Sequence, residues 1–411
     1  MSMLARPRVP IAPGFLTAPV FSAPIVIDAA AITANGSNIF EGNWEQQLWA
    51  DNPGANAQGA AIVIKTTQPV VIRNSRLRAR RYCIHWDVST IDLTVENCVL
   101  ECRNPMQANE ATGPAMNLIG PKNLVIEHCT FIGGGIQLSE TPAGGAFVRI
   151  RYNRALNIDG RMSDGAGGYV FEASNSTAYF KARQFLQLRG NLVVADGEVA
   201  WNEVVNEPFI SRREDAFSVF GGSGVSTKPF WIHDNVVKGG ASPRPYDSGY
   251  SGSGFVVEDA RAVVTDTSVA QYVDIDDNQV IGATNVGLGF VGTGVSHVRA
   301  RRNRFVSCGR INGRPVLAAG MNSPVNIYED KGSTGPTYAV LEDNGYSWRR
   351  DATGEQLNGP WFPVIGNTGN SNTGGYVIAA TTDEATEVAE WAAWVAKKTS
   401  AGVVCGSTLA V

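Results

Sequence analysis

The sequence lacks any apolar run approaching the about 18 residues that would cross a bilayer, so no membrane span is expected. It also lacks a basic excess. Thirty-four Lys and Arg stand against 38 Asp and Glu, for a formal charge of −4. Nucleic acid as the main partner would call for a basic stripe, and none is present. Cysteine is sparse, with six residues: Cys83, Cys98, Cys102, Cys129, Cys308 and Cys405. None forms a Cys-x-x-Cys pair, which argues against a zinc ribbon. The four histidines, His85, His128, His233 and His297, are scattered, with no two spaced as metal ligands on one element. Residues 1–24 contain five prolines and no continuous apolar core of signal-peptide length. They read as an extended arm. An ordinary secretory signal is not evident, yet an extracellular or cell- or virion-surface location is expected.

What the sequence does contain is a repeated phrase. An alternating apolar run is followed by one or two polar residues and then an Asn. It occurs at Val70-Val71-Ile72-Arg73-Asn74, at Leu93-Thr94-Val95-Glu96-Asn97 and, with His, at Leu124-Val125-Ile126-Glu127-His128. Further copies end in Asn153, Asn235, Asn278, Asn303 and Asn344. The first steps are about 23, 31 and 25 residues, the late ones about 43, 25 and 41. Such periods signal a solenoid, propeller or array. The period-two alternation and the Val and Ile content exclude helical repeats. A shortest unit near 23 residues fits one three-strand turn of a parallel β-helix, and the longer units fit the same turn with a loop inserted. An Asn after a strand can adopt the left-handed conformation that a sharp corner needs. Stacked Asn side chains can also bond along a ladder. Cys98 and Cys129 each follow a corner residue and are expected to stack inside as small apolar groups, with a disulfide between them as the lesser reading.

The expected architecture is all-β, one right-handed parallel β-helix solenoid with a short N-terminal cap and a C-terminal amphipathic helix. The expected divisions are an arm over 1–24, a cap over 25–61, the β-helix over 62–346 and an irregular C-terminal region over 347–411. Asn43-Trp44-Glu45-Gln46 reads as a helix start whose turn would bring Phe40, Trp44, Leu48 and Trp49 over the open end. Residues 157–182, 243–253 and 261–270 read as inserted loops. The tail opens a helix at about 382–398 through a capping box. Val388, Trp391, Trp394 and Val395 lie roughly on one face of it, suited to capping the last coil or binding another subunit.

Insertions in a solenoid gather on a binding face. Around the strands near 217 and 255 they bring charged flanks. Arg212-Arg213-Glu214-Asp215 precedes the first strand, Glu258-Asp259 follows the second, and Arg244, Tyr246 and Asp247 lie between. Glycoside hydrolysis needs two carboxyls, about 5–9.5 Å apart. Asp215 and Glu258 sit about five strand residues apart, on the order of 16 Å, so Asp215 with Asp247 is the better pair. A lyase needs a base, for which Arg212, Arg213, Arg244 and Lys228 are candidates. The candidate catalytic set is therefore Asp215, Arg244, Asp247 and Arg213. Glu214, Tyr246, Glu258, Asp259 and Lys228 are the candidate substrate contacts. No metal ligand set is assigned. Asp274 and Asp276 share a strand face where, with a neighbouring coil, they would suit Ca²⁺, but together with Asp277 they read more plainly as a solvated charged face. Glu214-Asp215 reads equally as a turn cap.

The corner phrases and aligned strands resemble the right-handed parallel β-helix, pectate-lyase-like superfamily, over about residues 62–344. Glu214 to Phe220, Phe230-Trp231-Ile232-His233-Asp234-Asn235 and Gly239-Gly240 resemble a group of bacterial β-helix proteins, over about residues 184–303. In that group a Glu-Asp pair opens a strand, a second strand follows, and a Gly-rich loop comes next. The superfamily includes polysaccharide lyases, hydrolases and epimerases, but also adhesins, phage tailspikes and scaffolds. The resemblance implies a carbohydrate-active protein that binds or cleaves a polysaccharide on its inserted-loop face. The alternative is a structural or surface-assembly protein that self-associates as a fibre, spike or filament subunit. No catalytic motif of a characterised member maps onto this chain, and fold alone does not fix function.

Overall fold

The computed structural model describes residues 19–46, 60–86, 88–142, 144–170, 180–241, 243, 252–259, 268–316, 322–329, 334–350 and 354–409. Among them, strands stack into three long sheets of 10, 11 and 12 members, each pairing with the equivalent strand one coil away. The pairing is parallel from coil to coil, which makes the chain a parallel β-helix. Each coil gives one strand to the first sheet, one to the second and one to the third. Coil 7 is typical, with strands Asp215–Phe220, Phe230–His233 and Val236–Lys238.

The alternation in each phrase sets which side chains enter the core. In Ala146–Arg151, Val148 and Ile150 are buried while Arg149 and Arg151 face outward. In-register pairing then stacks like on like. Ile72, Val95, Ile126, Ile150, Val199, Ile232, Ile275, Ala300 and Leu341 form one continuous inward column. Such stacking removes nearly all of this apolar area from water, at about 25 cal/mol per Å². A second column runs through the first sheet, where Phe185, Phe217 and Phe255 pack ring against ring.

The corner between the second and third strands is two residues long in every coil, as in Asp234-Asn235 and Asp277-Asn278. The first of the two is left-handed: Asn74, Asn97, His128, Tyr152, Trp201, Asp234, Asp277, Arg302 and Asp343 all have φ between 49° and 60°. The second points inward. The residues expected to turn the corner therefore divide into two sets. Asn74, Asn97 and His128 do turn it. Asn153, Asn235, Asn278, Asn303 and Asn344 stand one place later and are buried. They build a ladder together with Asn202, whose copy (Glu198-Val199-Ala200-Trp201-Asn202) carries Ala200 and Trp201 where the other phrases place polar residues before the Asn. Each Nδ2 donates to the Oδ1 of the next Asn at 2.8–3.0 Å, from Asn153 through to Asn344. The same Nδ2 donates to a strand carbonyl of the preceding coil, as Asn235 does to Val199 at 2.9 Å. Each Oδ1 also accepts a backbone N–H, as Asn278 does from Asn235. A buried amide satisfied on both ends costs little to keep and much to truncate. Lower in the stack the inward positions hold Ser75, Cys98 and Cys129, and all six cysteines are free thiols.

Three expectations are corrected at the ends. Residues 43–46 are a strand of the third sheet paired with 76–79, not a helix start, because Trp44 stacks in register on Leu77. Leu48 and Trp49 lie outside the described residues, as do residues 1–18 of the arm. The stack also begins before residue 62, since Ile25–Ile27 pairs with Ile62–Ile64. Among the described residues at this end the one helix is Ala29–Asn35, N-capped by Asp28.

The C-terminal helix, Glu384–Ser400, opens on an Asp383–Thr386 capping box. It does not cap the last coil. It lies along the outside of the third sheet, where Trp394 is fully buried against Val236 and Ile281. Trp394 Nε1 donates to Glu203 at 3.0 Å, and Lys398 pairs with the same carboxylate at 2.5 Å. Glu390 is clamped by Arg304 at 2.6 and 2.7 Å, and Lys397 reaches Asp234 at 2.6 Å. The docked face is therefore rotated from the one expected. Val388 is 69% exposed and Val395 is 40% exposed, while Glu390 is buried. The sheet beneath presents Arg304 and Glu203, so polar partners decide which face docks. Beyond the helix the tail runs back along the corners, with Gly406 donating to Tyr152 O and Thr408 to Asn97 Oδ1. No helix among the described residues is long and apolar enough to cross a membrane.

Candidate functional site

Because the corner between the second and third strands is fixed at two residues, every long insertion falls on one of the two flanks of the first sheet. On one flank the chain leaves the third sheet at 156, 205 and 238 and enters the first at 186, 215 and 253, and on the other it leaves the first sheet at 220 and 258 and enters the second at 230 and 270. The irregular period of the repeat has this one cause. The outer face of the first sheet is thus the inserted-loop face.

Four of the candidate residues meet on one flank at the start of coil 7. Arg213 is fully buried. Its Nη2 donates to Gly239 O at 2.8 Å and to Ser253 O at 3.3 Å. Gly239 turns there with φ of 75°, and a Cβ on it would stand 2.0 Å from Asn206 O, so only glycine fits. Burial draws the Arg213 guanidinium down to about 10. It stays protonated at neutral pH, which disfavours it as a lyase base. Asp215 is buried beside it. Burial and then the charge of Glu214 hold its carboxyl well above the usual range, with Ser253 and Arg213 offsetting only part. Arg212 turns elsewhere, its guanidinium 4.3 Å above the Phe180 ring, while its backbone N–H donates to Asp159 Oδ1.

Glu214 differs from its neighbours because it is only half-buried. Gln184 Nε2 donates to its Oε2 at 2.8 Å. Burial, and next the negative charge of Glu258, push its carboxyl up to about 7. Glu258 is likewise half-buried, one coil on, in the row of Phe220. Glu214 precedes that row by six residues, on the order of 20 Å between Cα positions. Two glutamates extended toward one another close about half of that span, which leaves a wide gap between their carboxyls. The register confirms that Asp215 and Glu258 stand at opposite ends of paired strands, Asp215 opposite Ser253 and Phe220 opposite Glu258. Asp259 is buried and accepts the Gly294 N–H at 2.5 Å, so it holds the turn of the next coil. Arg244, Tyr246 and Asp247 lie outside the described residues.

Lys228 is not part of this group. It stands on the second sheet's outer face, paired with Asp196 at 2.6 Å. That face carries further groups the sequence reading passed over. Trp231 is 41% exposed and stacks on His233, ring centroids 3.6 Å apart. His233 bonds Asp234 at 2.8 Å and Glu198 at 3.2 Å. Burial opposes its charge, but these two carboxylates outweigh burial and raise its pKa. The signal was present in the phrase Phe230-Trp231-Ile232-His233, whose alternation sends Phe230 and Ile232 inward and Trp231 and His233 outward. Asp274 and Asp276 are neither solvated nor placed for a cation. Arg299 pairs with Asp274 at 2.5 Å, and Arg301 with fully buried Asp276 at 2.6 Å. Among the described residues, no group of three or more His, Cys, Asp or Glu is placed to hold a metal.

No protein-family model matches this chain, and no curated protein or solved structure matches it. What the fold and the site define is a class, a parallel β-helix with a near-neutral carboxyl on its loop-flanked face.

Proposed function

We propose that this protein is a carbohydrate-active β-helix of the pectate-lyase-like kind, binding a polysaccharide along the outer face of its first sheet and hydrolysing it there. Glu214 carries the reading. A half-buried carboxyl held at about 7 keeps its proton at neutral pH and can release it to a leaving group. In this scheme Glu214 protonates the glycosidic oxygen as the bond to the anomeric carbon breaks. Glu258 takes a proton from the water that adds to that carbon. Water molecules filling the span between the two residues relay that proton, since the span is longer than the about 6.5–9.5 Å of an inverting pair. Local burial and then the charge of Glu258 set the Glu214 proton affinity, while Arg213, buried just before it, fixes the turn through Gly239 O and Ser253 O. An extracellular or surface location goes with such a substrate. The alternative of a fibre, spike or filament subunit has less support, because the Trp391 and Trp394 helix is occupied by the chain's own third sheet.

The test is depolymerisation of a polysaccharide panel, read as new reducing ends and product masses. At least one polysaccharide should be cut by the native protein. Glu214→Gln should lose about 10²–10⁴-fold in turnover while still binding it. Turnover by Glu214→Gln at the native level, or no polysaccharide bound or cut, would overturn the reading.

A further inference from the structure

A second feature lies about one sheet away from Glu214. The outer face of the second sheet holds a depression of about 420 Å³ around Trp231. That volume falls within the about 300–1,000 Å³ typical of ligand sites. The register builds it. Arg149, Glu198, Trp231, Asp274 and Arg299 occupy one row across five successive coils. Glu198 and Asp274 therefore flank the indole at one strand spacing on either side, about 4.8 Å each.

The indole is held rigidly. One face rests on His233, and its Nε1 donates to Asp276 Oδ2 at 3.1 Å. With one face and the N–H committed, the opposite face supplies the exposed area. A rigid aromatic with few rotamers to lose is an efficient contact surface. Its rim is polar but balanced, since Arg149, Lys228 and Arg301 stand against Asp196, Glu198 and Asp274. These groups already pair: Arg149 with Asp196 at 2.7 Å and with Glu198 at 3.4 Å, and Lys228 with Asp196 at 2.6 Å.

This balance selects the ligand. An anionic or cationic guest would have to break existing ion pairs to gain its own. A neutral ring with one apolar face and several hydroxyls would not. Its C–H face lies on the indole, and its hydroxyls donate to spare carboxylate lone pairs and accept from spare guanidinium and ammonium hydrogens. We propose that the Trp231 depression is a binding site for a neutral pyranose unit, separate from the face that carries Glu214. It is a docking subsite and performs no chemistry.

Isothermal titration calorimetry with cellohexaose, mannohexaose and xylohexaose, and with oligogalacturonate as the anionic probe, tests the proposal. At least one neutral oligosaccharide should bind the native protein. Trp231→Ala should weaken that binding at least tenfold, and Trp231→Phe should weaken it less. Glu214→Gln should leave this binding event intact. The proposal is overturned if no neutral oligosaccharide binds, if Trp231→Ala binds as the native protein does, or if Trp231→Ala loses only oligogalacturonate. Because Trp231 is exposed, Trp231→Ala should keep the native circular dichroism. If it does not, Trp231→Phe and Lys228→Ala carry the comparison, and unchanged binding in both would overturn the proposal. The site does not rest on Glu214. Retained turnover in Glu214→Gln would remove the hydrolytic reading and leave this one standing, whereas unchanged binding in Trp231→Ala would do the reverse.

Discussion

The start of coil 7 on the first sheet and the outer face of the second sheet use the same residue types to opposite effect. On the second sheet, partners decide. Glu198 is held below its usual range, first by the His233 hydrogen bond. Asp196 is lowered too, since Lys228 and Arg149 outweigh its burial. At the first-sheet flank, burial decides. Glu214 and Asp215 are raised although Arg213 is adjacent. Arg213 spends its Nη2 on carbonyls, and its Nε and Nη1 find no protein hydrogen-bond partner among the described residues. Asp274 is the exception on the second sheet. Burial raises it despite Arg299, because it lies deeper in its row. A charge with well-placed partners is a structural fitting, whereas a buried carboxyl without them is a stored proton.

Removing the buried cation breaks this contrast most directly. Arg213→Met should destabilise the protein by about 3 kcal/mol, because the loss leaves the Gly239 and Ser253 carbonyls buried without their donor. Urea denaturation followed by fluorescence measures it, and a loss below about 1 kcal/mol would show that the two carbonyls do not depend on Arg213.

A middle-sized effect comes from the stored proton. The folded pKa of Glu214 lies above the unfolded value of 4.5, so the folded state holds a proton that the unfolded state has released. Stability therefore falls as pH rises from about 4.5 to about 7 and is flat above that. Glu214→Gln should abolish this fall and stabilise the protein at pH 8 by on the order of 2 kcal/mol, with no gain at pH 4. Melting temperatures at the two pH values check it. His233 on the other face gives a slope of the same sign for a different reason, since its two carboxylates stabilise the charged ring. Its contribution is full below about 6.5 and is lost as pH rises through its raised folded value.

The smallest effect should come from an exposed pair. Lys228→Ala, whose side chain is 56% exposed, should change stability by less than about 0.5 kcal/mol. A larger loss, read by the same denaturation, would mean that the second-sheet ion pairs act as one network.

Much of the fold was legible because it is local chemistry repeated. Period-two runs such as Val148-Arg149-Ile150-Arg151 fix strands and their inward faces. The phase of the corner was not legible. Asn97 and Asn153 end similar phrases, yet one turns the chain and the other enters the ladder, because a single added residue, Tyr152, takes the left-handed position. The helix face failed for a similar reason. An amphipathic count favours Val388 and Val395, but the surface it meets offers Arg304 and Glu203. At the site, Glu214 was legible as a charged flank residue, and its difference from Asp215 was not. Trp231 was hidden inside a phrase read only for its backbone role.

The sequence by itself determined a coiled parallel β-architecture, the recurrence of its corners and the segment where insertions crowd. These follow from alternation and backbone preference, which act over a few residues. Only the tertiary structure decided that Glu214 keeps a proton near neutrality, that Lys228 serves another face and that the C-terminal helix binds its own solenoid. Each of those depends on burial and on charges brought close from distant parts of the chain. Gln184 lies 30 positions from Glu214 in the sequence and hydrogen-bonds it in the fold, and Glu258, 44 positions on, reaches it through its charge.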